Sequence, residues 1–555
     1  MTSQVSVIFL GGLGEIGRNC ALIEQDDRIV ILDCGLMFPN SDMPGVDLVL
    51  PDLTYVRENQ HKVVGCILTH GHEDHTGALS FLMRDIDIVL PIYGSELSLG
   101  LAANRIEEAG LTDRAEYIAV SDGETLEIGP FRVEFIPVTH SVPHSFAVAL
   151  YTSQGVIFHS GDFKIDLNPV DGRLMDLGRI GAIASNQGIR LLLSDSTNAE
   201  EVGRSESESE VGKTLARLFG ESKDRRIVVT CFSSHIHRIQ QVANAAVAAG
   251  RRVFTLGRSM GKNVALARRL GLLYIPDDRI FDIDQVSKYP SEEVCIISTG
   301  SQGEPMSALS LMAAGENKWL KLEQDDLVII SADAIPGNET AIGQVIDSLY
   351  RRGASVVHPG IDKVHTSGHA KADELKMLLS ITRPQGFIPV HGEFRHLFNH
   401  TMLAKEMGVP PDNILLAEDG DVVVLSDSGI DFGGQVPAGH LYVDGVVGDV
   451  NRGVLRDRKA LAEEGVIVVV VTVDMKSGEL ITGPEIITRG WIHADEAEGL
   501  IEEAKAEVRR SIADVVFQDA LDLETLRRHV RTSLGKYVNK QTKRRPMIVP
   551  VVLES

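Results

Sequence analysis

The chain has 555 residues, 43% of them hydrophobic, and a formal net charge of −24. That length calls for two or three domains with full cores, and that charge excludes a protein that coats nucleic acid nonspecifically. Apolar runs too short to span a membrane, no charged-then-apolar leader pattern, and five cysteines (Cys20, Cys34, Cys66, Cys231, Cys295) with no C-x-x-C pair point to a reduced, cytoplasmic, membrane-free protein.

Val5 to Leu10 reads as a strand. Gly11-Gly12-Leu13-Gly14-Glu15-Ile16-Gly17 follows and contains G-x-G-x-x-G. A dinucleotide fingerprint must open a helix. Here Asn19 to Glu24 and Arg28 to Leu32 read as two more strands, so the glycines are assigned to tight turns. The second of these strands ends at Asp33. The next apolar run, Val63 to Leu68, is a buried strand that leads into Thr69-His70-Gly71-His72-Glu73-Asp74-His75, with a helix expected from Ala78 to Arg84. This is H-x-H-x-D-H. Imidazole and carboxylate suit Zn²⁺ or Mn²⁺. Four such groups are more than one ion takes from one loop. Two ions sharing it is the natural reading, with His70 and His72 facing one and Asp74 and His75 the other.

Later strands end the same way. Phe131 to Pro137 leads to His140, Gly155 to His159 leads to Asp162, and Ile189 to Leu193 leads to Asp195. A lone strand-end His or Asp is more often structural than functional. Repetition after a loop that already needs partners favours ligands. His144 finds no role. Strands and helices alternate with polar residues at strand tips, which is α/β with a site along one edge.

Glu200 to Glu210 is Ser- and Glu-rich and reads as an exposed joint before a helix. Between Arg225 and Pro276 stand nine Arg and Lys residues and no acid. Solvated helix faces are the bland account; a wall for a phosphate backbone is the functional one. The latter gains from Ser233-Ser234-His235, between a strand and a helix start, where hydroxyls and N–H groups make an anion site. His365-Thr366-Ser367-Gly368-His369 is a compact polar loop. The strand Gly386 to Val390 ends at His391, another ligand-type strand end. Gly429 to Val450 is Gly-rich and reads as a linker. From Gly465 a small α/β unit is expected: strands Val466 to Asp474 and Glu479 to Thr488, helices Asp495 to Asp514 and Leu523 to Lys540, and a strand Met547 to Leu553. Its basic tail runs from Lys536 to Arg545.

Asp33, H-x-H-x-D-H at His70 to His75, His140 and Asp162 resemble the four ordered motifs of the metallo-β-lactamase fold, an αββα sandwich. The Asp195 segment, Ser367-Gly368-His369 and Val390-His391-Gly392-Glu393 resemble the three motifs of its β-CASP nucleic-acid branch. With G-G-L-G-E-I-G at the start, nearly the whole chain resembles the bacterial ribonuclease J family. The resemblance implies an α/β protein. Residues 1–207 and 358–428 form the metallo-β-lactamase domain, 208–357 the inserted β-CASP α/β domain, 429–464 a linker and 465–555 a small C-terminal α/β domain.

It also implies a function in mRNA decay and rRNA processing. One ion is held by His70, His72 and His140, the other by Asp74, His75 and His391, with Asp162 bridging. Two Zn²⁺, replaceable by Mn²⁺ in activity, share a hydroxide that attacks the phosphodiester of single-stranded RNA. Asp33 fixes an imidazole from behind. Asp195 and His369 are the other catalytic candidates, His369 acting on the leaving 3′ oxygen. Ser233, Ser234, His235, His365, Thr366, Ser367, Gly368 and His369 bind RNA phosphate. Cleavage runs 5′ to 3′ from monophosphate ends and also occurs internally. Gly45, Asp47 and Asp444 resemble a structural Ca²⁺ site. The C-terminal domain supports a homodimer or homotetramer, and RNA-decay partners are implied. Two alternatives stay open: a metallo-hydrolase of small esters or thioesters, and a silent RNA-binding scaffold.

Overall fold

A computed structural model describes residues 4–40, 42–445, 450, 452–492, 498–517 and 522–555. They divide into two compact units, residues up to 38 with 48–441, and 39–47 with 442–555.

The first unit contains a sandwich. One sheet has eight strands in the order Gly429–Gln435, Asp421–Ser426, Val5–Gly11, Cys20–Gln25, Arg28–Leu32, Val63–Ile67, Leu90–Gly94 and Ala115–Ala119. The other has six: Gly386–Val390, Ile189–Asp195, Gly155–His159, Phe146–Thr152, Phe131–Pro137 and Thr125–Ile128. Their inner faces share one apolar cluster, with Val7, Phe9, Ile23 and Val30 from the first and Phe135, Val148, Ile157 and Leu191 from the second. The outer face of the second sheet packs under the helices Leu177–Asn186 and Ala372–Thr382 through Phe158, Ile180, Leu192, Leu375 and Leu378. A strand buried on both faces reads as a continuous apolar run, and Leu191-Leu192-Leu193 is one.

Gly155–His159, Ile189–Asp195 and Gly386–Val390 run parallel to one another, as Arg28–Leu32 and Val63–Ile67 do. Parallel strands bring their C-terminal ends to one edge, where α/β folds place their sites. Val5–Gly11 pairs antiparallel with Cys20–Gln25, so no helix follows the glycine-rich turn. Gly35 shows how tightly the site edge closes: a Cβ there would stand 1.6 Å from the Asp74 carbonyl oxygen.

The insertion is built on a separate, wholly parallel sheet: Ile280–Phe281, Arg252–Leu256, Val294–Ser298, Ile227–Thr230, Leu327–Ile330 and Ser355–Val357. One of its clusters takes in Leu97, Leu101 and Val142 of the enclosing sandwich, which seats the insertion on the helix Glu96–Glu108.

Four sequence expectations change here. A short helix, Glu73–Thr76, precedes Leu79–Asp85, so Asp74 and His75 lie on a helical turn and not on an open loop. Gly429–Gln435 is an edge strand of the large sheet and not a linker. The acidic joint ends on a buried residue, Glu208, 2% exposed. The acid-free basic segment is no continuous positive wall. Arg226 is buried against Asp326, Arg238 against Glu208, and Arg252, Lys262 and Arg268 pair with Glu293, Glu108 and Asp277. Acids absent from the local sequence arrive through the fold.

Arg251 is the clearest case. It is 1% exposed and donates to the carbonyls of Arg225 (2.9 Å), Val294 (3.1 Å) and Ser222. Arg251→Ala is expected to destabilise the protein by about 2–4 kcal/mol, since buried acceptors lose a charged donor. RNA affinity of the folded fraction should stay unchanged. Urea melts beside RNA titrations check this, and weakened RNA binding at full stability would restore the phosphate-wall reading.

The second unit has a three-stranded sheet, Leu480–Arg489, Val466–Val473 and Met547–Glu554. Alternation along Val466–Val473 turns Ile467, Val469, Val471 and Val473 toward the helices Glu498–Phe517 and Leu523–Thr542. Asp495, where the first of these helices is expected to begin, lies outside the described residues. Among the described residues, no helix is long and apolar enough to cross a membrane.

Candidate metal centre

At the sandwich edge, ligand-type atoms converge. His70, His72, His140 and Asp162 each bring one donor within 4.8 Å of the others, and so do Asp74, His75, Asp162 and His391. Asp162 belongs to both groups. A third group overlaps them: Asp162, Asp195, His369 and His391. His70 Nε2 lies 3.0 Å from His72 Nδ1, and His140 Nε2 lies 3.3 Å from that same atom. Asp162 Oδ2 is 3.2 Å from His75 Nε2 and 3.5 Å from His70 Nε2, and it accepts no hydrogen bond. His391 Nε2 is 3.2 Å from Asp74 Oδ2.

Charges fit a cation. Burial drives His70 well below the usual histidine range and His72 down to about 4, so their facing nitrogens are neutral. Neutral imidazoles converging on a buried carboxylate with an idle oxygen are a donor set for divalent ions. Burial works against the Asp162 carboxylate, but the rings of His391, His75 and His70 hold its pKa well below the carboxylate range. Burial likewise opposes charge on His391, yet Asp162, Asp195 and Asp74 lift it to about 10.

Four of the rings are held from behind, which sets their tautomers. His75 Nδ1 lies 2.8 Å from Asp33, whose carboxylate also accepts from the Thr69 N–H and hydroxyl, both at 2.8 Å. Asp33 reaches this position with a left-handed φ of 60°. His140 Nδ1 lies 2.9 Å from the Gly368 carbonyl. His391 Nδ1 lies 2.7 Å from Thr197 Oγ1, which donates to Asp195 at 2.7 Å. His369 Nδ1 lies 2.8 Å from Asp195 Oδ2, and its ring stacks on His391 at 5.4 Å. Burial notwithstanding, Asp195 raises the His369 pKa above the ordinary value.

Thr69, Thr197 and the Gly368 carbonyl escape sequence reasoning. Thr197, two residues past Asp195, is the one with a signal, because a hydroxyl beside a strand-end acid is a natural hydrogen-bond partner.

Of the phosphate candidates, the 365–369 loop reaches the centre through the Gly368 carbonyl. Ser367 Oγ accepts from Asn198 Nδ2 at 2.8 Å, and Thr366 Oγ1 donates to the Glu206 carbonyl at 3.1 Å. His235 is buried, and its ring stands edge to face with that of His365, 6.4 Å between centroids. Ser233 Oγ accepts from Asn263 at 3.2 Å, and Ser234 is half-buried. His144 has a left-handed φ of 58° and lines a cleft with His237, Asp171 and Arg173, outside every donor group.

Gly45, Asp47 and Asp444 do meet, all in the second unit, but around a guanidinium. Arg458 donates to the Gly45 carbonyl at 3.0 Å and pairs with Asp444, while Asp47 Oδ2 accepts from the Gly445 N–H at 2.7 Å. Arg458 thus takes up the Gly45 carbonyl and the Asp444 carboxylate, two of the three groups expected to hold Ca²⁺.

Four family models match the chain in order: Metallo-beta-lactamase superfamily over residues 13–196; Ribonuclease J, beta-CASP domain over 224–349; Zn-dependent metallo-hydrolase RNA specificity domain over 356–414; and Ribonuclease J C-terminal domain over 453–555. Ribonuclease J2 of Bacillus subtilis is 38% identical over 554 residues, covering 100% of this chain and 99% of that one. Ribonuclease J of Mycobacterium tuberculosis is 42% identical over 549 residues (99% and 97%), and that of Mycolicibacterium smegmatis is 41% identical over 549 residues (99% and 97%). A crystal structure of a protein of unknown function from Enterococcus faecalis V583 matches in fold, with TM-score 0.53, 18% identity, and coverage of 76% of this chain and 100% of that one.

Proposed function

The chain belongs to the ribonuclease J family and is a metal-dependent ribonuclease, and on that footing we propose that it removes nucleotides from single-stranded RNA in the 5′-to-3′ direction, favours a 5′-monophosphate end and also cuts internally. One observation carries the end preference. His140 Nδ1 bonds to the carbonyl of Gly368, so the 365–369 loop abuts the metal centre. A terminal phosphate held by that loop with Ser233, Ser234 and His235 would lie about one nucleotide from the scissile bond.

In this reading His70, His72, His140 and Asp162 hold one divalent ion, and Asp74, His75, His391 and Asp162 the other. The mixed nitrogen and oxygen donors suit Zn²⁺, with Mn²⁺ able to replace it. When bound, such a pair supplies a nucleophilic water at neutral pH and a positive clamp for the phosphodiester. The protein's own part is orientation and proton transfer. Asp33 and Thr197 fix the rings of His75 and His391. Asp195 holds His369 by Nδ1, leaving Nε2 to protonate the departing 3′ oxygen. The shortened RNA then begins with a 5′ phosphate, the end the next cycle recognises.

The protein would act in the cytoplasm, in mRNA decay and rRNA processing, with other RNA-decay proteins as partners. Self-association as a dimer or tetramer is supported by the second unit. Val466, Val468 and Val470 share a half-exposed apolar face with Val549 and Leu553, turned away from the two helices. A small-ester hydrolase would have no use for the inserted domain, and a silent scaffold would not keep so complete a donor set.

The test uses 5′-labelled single-stranded RNA carrying a monophosphate or a triphosphate, with Mn²⁺ or Zn²⁺ and a chelated control. Release of labelled mononucleotide from the monophosphate substrate is expected, and chelation should stop it. Internal fragments alone, equal from both substrates, would refute the end preference.

A further inference from the structure

One buried carboxylate has no part in that scheme. Glu208 opens the helix Glu208–Glu221, and its N–H donates to Asp166 Oδ2 at 3.0 Å. Its Oε2 accepts from Arg238 Nη2 at 2.6 Å. Its Oε1 lies 3.4 Å from His235 Nε2 and 3.8 Å from Lys164 Nζ, and accepts no hydrogen bond. Burial pushes its pKa up, but Arg238, then His235 and Lys164, hold it well below the usual glutamate range, so it is ionised.

Around it stand other idle groups. Neither ring nitrogen of His235 has a hydrogen-bond partner, nor does His365 Nδ1. Buried polar atoms in native proteins nearly always find partners. Unpartnered nitrogens on two facing imidazoles mark a place that a ligand completes, and their chemistry suits an anion. Burial lowers the His235 pKa to about 4 against the pull of Glu208, so the free ring is neutral; an anion bound beside it would favour the ring carrying both protons, the form that donates to it.

Glu208 also fixes the loop that follows. Arg238 donates through Nη1 to the Val364 carbonyl at 2.7 Å and to Ser331, which itself donates to that carbonyl at 2.6 Å. Lys164, 1% exposed, donates to the Glu206 carbonyl at 3.0 Å, which also accepts from Thr366. Arg238 and Lys164 are thus neutralised inside the protein, and the histidines stay available.

We propose that Glu208 is a positioning residue for the terminal phosphate: its carboxylate orients the His235 ring and, through Arg238, the Val364–His365 backbone toward a 5′-monophosphate. The inference rests on the terminal-phosphate reading above. Glu208 itself touches no substrate.

Glu208→Gln in the full-length, Mn²⁺-loaded protein tests it with three RNAs of one sequence: linear with a 5′ monophosphate, linear with a 5′ hydroxyl, and circular. KM for the monophosphate RNA is expected to rise about tenfold, the scale of a lost charged hydrogen bond, with kcat within about twofold. Cleavage of the other two should stay within about twofold. An unchanged KM overturns the proposal. So does an equal loss on all three RNAs, which would make the residue merely structural. His235→Asn supplies a second measurement. If Glu208 acts through His235, adding Glu208→Gln to His235→Asn raises KM little further, whereas full additivity refutes the route through the ring. An unsubstituted protein with no monophosphate preference would refute the underlying reading itself, independently of either variant.

Discussion

Asp162→Asn is expected to lower RNA cleavage by at least about a thousandfold, the scale on which losing a preorganised charge partner in a site counts. Asp162 is shared by the two four-residue groups proposed to hold the ions, and its idle Oδ2 lies within 3.5 Å of rings from both. An amide keeps the shape and one weak oxygen donor but removes the negative charge. The two donor groups then lose the carboxylate they have in common, while His75 and His391 lose a charge that lifts their pKa values. The expected phenotype is joint: at least one ion lost by elemental analysis, activity lost on linear and circular RNA alike, and a thermal transition like that of the metal-stripped parent. A variant that keeps both ions and cuts within tenfold of the parent would sink the shared-ligand assignment.

What the sequence makes legible is local. H-x-H-x-D-H and the strand-end His140, Asp162, Asp195 and His391 are each visible because a short apolar run points at them. Parallel strands then carry these tips to one edge, so a one-dimensional pattern becomes a three-dimensional cluster. What escapes depends on partners far away in the chain. Arg226 looks free until Asp326 meets it, and Glu208 looks solvated until Arg238 and Lys164 close around it. A local excess of one charge therefore says little about surface potential when the compensating acids lie tens of residues away. The Gly368 carbonyl behind His140 is illegible for another reason: a backbone acceptor leaves no residue-type signal. The same limit applies to Gly45, Asp47 and Asp444, whose acidic turn suggests a metal until the structure places Arg458 among them.

His369→Ala should slow cleavage by about a hundred- to a thousandfold in kcat, the range that general acid catalysis supplies. KM and metal content should change little, because His369 lies outside the two four-residue groups proposed to hold the ions and its partner Asp195 remains to hold Thr197 and, through it, His391. Ser367→Ala should show the opposite signature, a raised KM for monophosphate ends with kcat kept, since its hydroxyl shapes the loop through Asn198 and the His369 N–H. The decisive substrate is RNA with sulfur in place of the bridging 3′ oxygen at the scissile bond. A thiolate leaves without a proton, so a proton donor becomes dispensable. On that RNA the His369→Ala variant should approach the unsubstituted rate to within about tenfold, because only the acid term has been removed. A defect as large on the sulfur substrate as on ordinary RNA would mean that His369 contributes by packing on His391 and shaping the donor cluster, and the proton would then have to come from solvent.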